Sequence, residues 1–260
     1  MRQVRTPAAA GFFYPREPGE LGRAVRAYLD AATGPPAEAR AIIAPHAGYA
    51  YSGPVAGSAY ARLRGARGRA RRVVLLGPAH FLAFEGLAAS GAEAFATPLG
   101  EVPVDQAGVE AALSLPRVRL LEEAFEREHS IEVHLPFLQE TLGEFGLVPL
   151  LVGEAEPHEV EAVIEALWES TTLVVVSSDL SHYRSQEGAR KIDGLTSRAI
   201  EGFRPEAISP EQACGHIAVK GLMAAARRRG LRGQTLDLRT SGDTAGPSRR
   251  VVGYGAFLFA

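Results

Sequence analysis

Apolar residues along this 260-residue chain fall into two kinds of pattern. Short uninterrupted runs recur at Ala41-Ile-Ile-Ala44, Val73-Val-Leu-Leu76, Leu147-Val-Pro-Leu-Leu-Val152, Leu173-Val-Val-Val176 and from Val251 to Phe259. Runs without polar alternation suit strands covered on both faces, as in a parallel sheet between helices. Thr235 to Arg239 reads as a further strand. Between the runs the spacing changes to three and four. Leu21, Val25, Tyr28 and Leu29 share one helical face, as do Val160, Val163, Ile164 and Leu167. Ile131, Leu135, Leu138 and Leu142 form another, with Pro136 either starting or kinking the helix. Asp105 is an N-cap for a helix through Val109 and Leu113. Ser209-Pro-Glu-Gln212 carries N-cap, N1 and N3 signals for a helix that Gly230 closes. The path from Leu147 through a helix to Leu173 is long enough for a right-handed crossover between parallel strands. The expected fold is therefore α/β: a single domain over residues 1–260, with a central, mostly parallel β-sheet flanked by helices.

Composition narrows the function classes. With 46% hydrophobic and 22% charged residues the chain buries a substantial core as one domain, and no linker or repeat divides it. A formal net charge of -2 gives no general attraction to nucleic acid or to a membrane surface. The basic cluster Arg62 to Arg72 reads as a solvated turn. The one cysteine, Cys214, excludes an intramolecular disulfide and suits the cytoplasm. It is expected to pack within the Ser209 helix. Pro7 and Pro15 break the N-terminal apolar stretch, which leaves no signal peptide or membrane span. Residues 8–15 read as an extended, packed arm.

The candidate chemistry lies where strands end. Pro45-His46 follows Ala44, Gly77-Pro-Ala-His80 follows Leu76, Ser177-Ser-Asp179-Leu-Ser-His182 follows Val176, and Thr240-Ser-Gly-Asp243 follows Arg239. Loops at the carboxyl ends of parallel strands are where α/β proteins hold ligands. Any one of these residues is more often a turn or capping residue. Four at equivalent strand ends argue for one site. Two histidines and a carboxylate make the facial triad of non-haem iron. His129 and His134 lie in Glu128-His-Ser-Ile-Glu-Val-His134, without the His-Glu-x-x-His spacing. His129 is placed at the rim of the site, and His134 is read as structural.

These strings together resemble the Memo family, protein B of the AmmeMemoRadiSam system, which is related in fold to class III extradiol dioxygenases. The resemblance rests on Gly11-Phe-Phe-Tyr-Pro15, Ala44-Pro-His-Ala-Gly-Tyr-Ala-Tyr-Ser-Gly53, Leu76-Gly-Pro-Ala-His80, Glu128-His-Ser-Ile-Glu-Val133, Ser177-Ser-Asp-Leu-Ser-His182 and Cys214-Gly215. It implies a pocket containing His46, His80, Asp179 and His182. Vertebrate members place a metal-binding cysteine where Asp243 aligns, so the implied metal ligands are His46, His80 and Asp243. That carboxylate favours Fe(II) or Mn(II) over copper, with zinc also open. By analogy with the dioxygenases, His182 shuttles a proton, Asp179 orients it and His129 assists as a third catalytic residue. The implied function is a non-haem iron-dependent oxidoreductase. Two alternatives stay open: a non-catalytic binding or signalling module that takes a peptide or small ligand, and a metal-dependent hydrolase. The resemblance also implies a functional link to a radical SAM protein and an AMMECR1-like protein.

Overall fold

The structure, a computed structural model, describes residues 3–260. At its centre the strands Ala41–Ala44, Thr172–Ser177, Arg72–Pro78 and Gly146–Val152 lie side by side in that order, all parallel. Every side chain of Ala41–Ala44 and Thr172–Ser177 is buried, as expected of strands sandwiched by helices.

Outside this parallel core antiparallel strands join it, so the sheet is mixed and not purely parallel. Val251–Phe259 runs antiparallel to Ala41–Ala44 and to Gly233–Thr240, and Leu87–Ala89 runs antiparallel to Gly146–Val152. The physical reason is local. A long apolar strand satisfies its backbone equally well in either direction, and burial on both faces does not record direction. Val251–Phe259 lies inside the sheet, as its apolar run predicts.

A small separate sheet of Val4–Arg5, Ala94–Thr97 and Gly100–Pro103 carries the N-terminal arm. The arm is latched to a buried carboxylate. Glu132 accepts hydrogen bonds from the amides of Ala8 and Ala9, each at 2.8 Å, from the Tyr14 hydroxyl, and from Arg5 at 2.7 Å. A buried carboxylate needs that many partners to offset its lost hydration.

The helices Pro18–Ala31 and Tyr49–Tyr60 pack together, as do Pro157–Leu167 and His216–Arg228. The first pair packs closely because a Cβ at Gly53 or Gly57 would strike Tyr28. Among the described residues no helix is long and apolar enough to cross a membrane.

Candidate metal centre

Each parallel strand of the core ends in a loop on the same edge of the sheet. His46 follows Ala44 by two positions and is buried. Its backbone amide donates to Asp179 Oδ1 at 2.8 Å, and its Nδ1 lies 2.6 Å from Ser177 Oγ, so its Nε2 is the nitrogen left to face the cavity. His80 follows Pro78 in the same way. Its amide and its Nδ1–H both donate to Glu128, at 2.6 and 2.9 Å, which frees Nε2.

The third imidazole is His129. Candidate donor atoms of His46, His80 and His129 all lie within 4.8 Å of one another. The His80 and His129 rings stack with centroids 4.9 Å apart, and the His46 ring stands edge-on to both. Phe13, brought in by the latched arm, covers the far face of His129 at 4.2 Å.

His129 is therefore not at the rim but in the cluster itself. Strand-end reasoning missed this because the segment 128–134 follows no strand and enters from the side. The adjacent Glu128 was the available signal, since a carboxylate next to a histidine commonly orients a metal-binding imidazole. His134 is structural, as expected: it is buried, with Nδ1 2.8 Å from the Tyr60 hydroxyl.

Asp243 does not join the histidines. Gly233–Thr240 points its carboxyl end the same way as Ala41–Ala44, but Val251–Phe259 lies between them. Asp243 also has other work. Its Oδ2 accepts from the amide and hydroxyl of Thr240, closing a capping box, and its Oδ1 accepts from Gln186 and Arg190. Burial opposes ionisation here, yet the Thr240 and Arg190 contacts hold its pKa below the ordinary value.

The residue beside His46 is instead Cys214, whose Sγ lies 3.4 Å from His46 Nε2. Ser209–Gln212 forms a turn closed on itself, and the helix starts only at His216, so Cys214 is not within a helix. Gly215 makes this possible. A Cβ there would meet Ser177 O at 2.6 Å, and its amide donates to Ser178 Oγ at 3.0 Å, so the turn presses onto the end of Thr172–Ser177. Burial, with the Asp179 carboxyl nearby, pushes the Cys214 thiol up to about 12.

Asp179 and His182 do reach this edge. Residues 180–184 take up the stretch of Val251–Phe259 that Ala41–Ala44 does not cover, pairing His182 with Val252. Asp179 turns toward the amides of His46 and Ala47 rather than toward His182. Burial raises its pKa to about 7 against the pull of those amides. His182 shifts the other way. Burial lowers its pKa, and His80 adds to the effect.

Electrostatics keep the cluster ready for a cation. Burial lowers the pKa of His46, and the neighbouring histidines lower it further. Burial outweighs the pull of Glu128 and brings His129 down to about 4. Both imidazoles are thus neutral near pH 7, the form that ligates metal. Burial alone would raise Glu128, but hydrogen bonding and charge from His80 hold it at about 2, an ionised acceptor. His129 Nδ1 is buried without a hydrogen-bond partner. A divalent ion fits this set of inward-facing nitrogens.

Fold and cluster together define an α/β protein with a metal-competent imidazole centre at the carboxyl ends of its parallel strands. The chain belongs to the Memo family: the family model described as Memo-like protein matches residues 5–258. It is 35% identical to a MEMO1 family protein of Aquifex aeolicus, over 99% of each chain. It is 36% identical to one of Archaeoglobus fulgidus, over 98% of this chain and 99% of that one. A crystal structure of an uncharacterized protein from Escherichia coli K12 matches with a TM-score of 0.49 at 15% identity, over 83% of this chain and 98% of that one.

Proposed function

We propose that this protein is a metal-dependent enzyme acting on a small molecule, an oxidoreductase with a divalent ion held by His46, His80 and His129. The observation that carries this reading is the cluster of three imidazoles within 4.8 Å, with the Nδ1 atoms of His46 and His80 engaged by Ser177 and Glu128. Such backing fixes the tautomer and aims the other nitrogen. A bound ion of the iron type would supply Lewis acidity and redox capacity.

The chain's own residues supply the rest. Ser177 and Glu128 hold the rings in place, and Phe13 shields His129 from water. Asp179, with a pKa of about 7, takes and releases a proton near neutrality, and the half-buried His182 stands close enough to His80 to feel its charge. These two are the candidate proton carriers.

One observation favours a second reading. With Asp243 engaged elsewhere the donor set holds no carboxylate, and three imidazoles are the set of a catalytic zinc site. A metal-dependent hydrolase would use the same residues. Metal analysis of anaerobically purified protein, followed by dioxygen-uptake and ester-hydrolysis assays, separates the two. The oxidoreductase reading expects about one iron per chain, dioxygen consumption, and loss of both in His80→Ala. Zinc with hydrolysis would establish the second reading. Wild-type protein that holds no metal under any loading condition would leave a non-catalytic binding module.

A further inference from the structure

A cleft of about 490 Å³ opens beside the histidine cluster, within the usual size range of small-molecule sites. Its inner end is made by Pro78 and Ala79, the residues that lead into His80, and by Cys214. Cys214 is the shared wall, since the same side chain lines the cleft and reaches His46 Nε2. The sides are apolar, with Leu82, Phe84, Val152 and Ala218 among them.

The outer end has the opposite character. Glu85 and Glu154 face each other across an isolated bridge and both line the cleft. Like charges placed opposite one another are unfavourable. Arg117 relieves Glu85 at 3.2 Å and also pairs with Glu159, but Glu154 has no ion-pair partner among the described residues. The backbone fixes the pair in place: Glu154 donates its amide to Phe84 O and accepts from Gly86, each at 2.7 Å. An apolar slot that ends against Cys214, at the edge of the histidine cluster, and carries a carboxylate without an ion-pair partner at the other end selects a ligand built the same way.

Resting on the metal-centre reading above, we infer that this cleft is the substrate pocket of that centre. Its ligand class is a small molecule with an oxygen function at one end, an apolar body, and an ammonium group at the other. The oxygen end lies toward Cys214 and the histidines, near the uncapped start of His216–Arg228, where backbone N–H groups favour an acceptor. The ammonium lies against Glu154. A full carboxylate charge exceeds the roughly half charge of a helix terminus, so it decides which end takes the ammonium.

The test uses full-length, Mn(II)-loaded protein and a matched pair of probes, tyramine and 3-(4-hydroxyphenyl)propionate, followed by ligand-observed NMR. Tyramine is expected to bind, with its phenol-side protons relaxed more strongly by Mn(II) than its aminomethyl protons. Glu154→Gln should weaken its binding about two- to fivefold, the upper part of the range for an exposed charge pair. Ala218→Trp, which fills the slot, should abolish binding. Manganese content should be unchanged in both variants. Equal or tighter binding of the carboxylate probe, or no effect of Glu154→Gln, overturns the inference. Glu154 is exposed, so that variant tests the idea even if Ala218→Trp fails to fold. The two readings fail separately: protein that retains metal but shows no preference for the amine sinks the pocket alone. Protein that binds tyramine through Glu154 but holds no metal sinks the metal centre and leaves the amine selectivity standing.

Discussion

Glu128 carries more of the centre than any other side chain outside the three imidazoles. It is 1% exposed and accepts from the amides of His80, His129 and Ser130 as well as from His80 Nδ1. Glu128→Gln keeps the shape and removes the charge. It should lower metal affinity about 10–100-fold, as for other carboxylates that orient a metal-bound histidine. Chelator competition measures this, and unchanged affinity would mean that His80 needs no such support. Cys214 makes a contrasting prediction. With its thiol pushed up to about 12 it should react slowly with alkylating agents at pH 7 in metal-free protein, and Cys214→Ala should retain one metal per chain. A sulfur-to-metal absorption band in the Co(II) form that disappears in Cys214→Ala would instead put the sulfur in the donor set in place of His129.

At the scale of elements, the strand runs and the parallel direction of the central four were legible in the sequence, and the antiparallel neighbours were not. Ala41–Ala44 and Val251–Phe259 are as the apolar runs predict, because four or nine apolar residues flanked by turns leave few other structures. The antiparallel placement of Val251–Phe259 has no such signature. The Ser209 signals misled for a related reason: Gln212 does bond back to the Ser209 amide at 2.9 Å, but as a closed turn and not as a helix start. Capping chemistry reports a local hydrogen bond, not whether the chain beyond it continues as a helix. Gly215 then sets where the helix begins. Gly215→Ala should destabilise the fold by about 1–3 kcal/mol, because the added methyl must displace the Ser177 carbonyl. It should also loosen Cys214 from His46. Denaturant unfolding and thiol-labelling rate check the two effects, and a variant as stable as wild type would mean that the turn yields without cost.

Over the whole molecule, buried titratable groups make stability depend on pH in a predictable way. Asp193, on the helix Gln186–Glu201, holds the 180–182 loop by accepting from the Ser181 amide at 3.0 Å. Burial raises its pKa from 3.8 to about 6. A carboxyl raised on folding contributes stability that is fully present below its unfolded pKa and lost as pH rises through the folded one. The loss therefore falls between 3.8 and about 6 and amounts to at most about 3 kcal/mol, at 1.36 kcal/mol per pH unit. Metal-free wild type should lose stability relative to Asp193→Asn as pH rises through this window, as followed by denaturant midpoints. Parallel curves for the two proteins would show that Asp193 titrates normally. At the acid end His134, lowered by burial to about 3, acts in the opposite sense. Its contribution is present above 6.5 and lost as pH falls toward 3.

The antiparallel pairing of Val251–Phe259 with Ala41–Ala44 has a consequence for how the centre is made in the cell. On the ribosome the strand that delivers His46 emerges early, yet one of its edges stays open until residues 251–259 have been synthesised. His129 and Cys214 arrive in between. The sheet beneath His46 is thereby completed only once synthesis has nearly ended, and a nascent chain stalled before Val251 would present its imidazoles on an unfinished sheet.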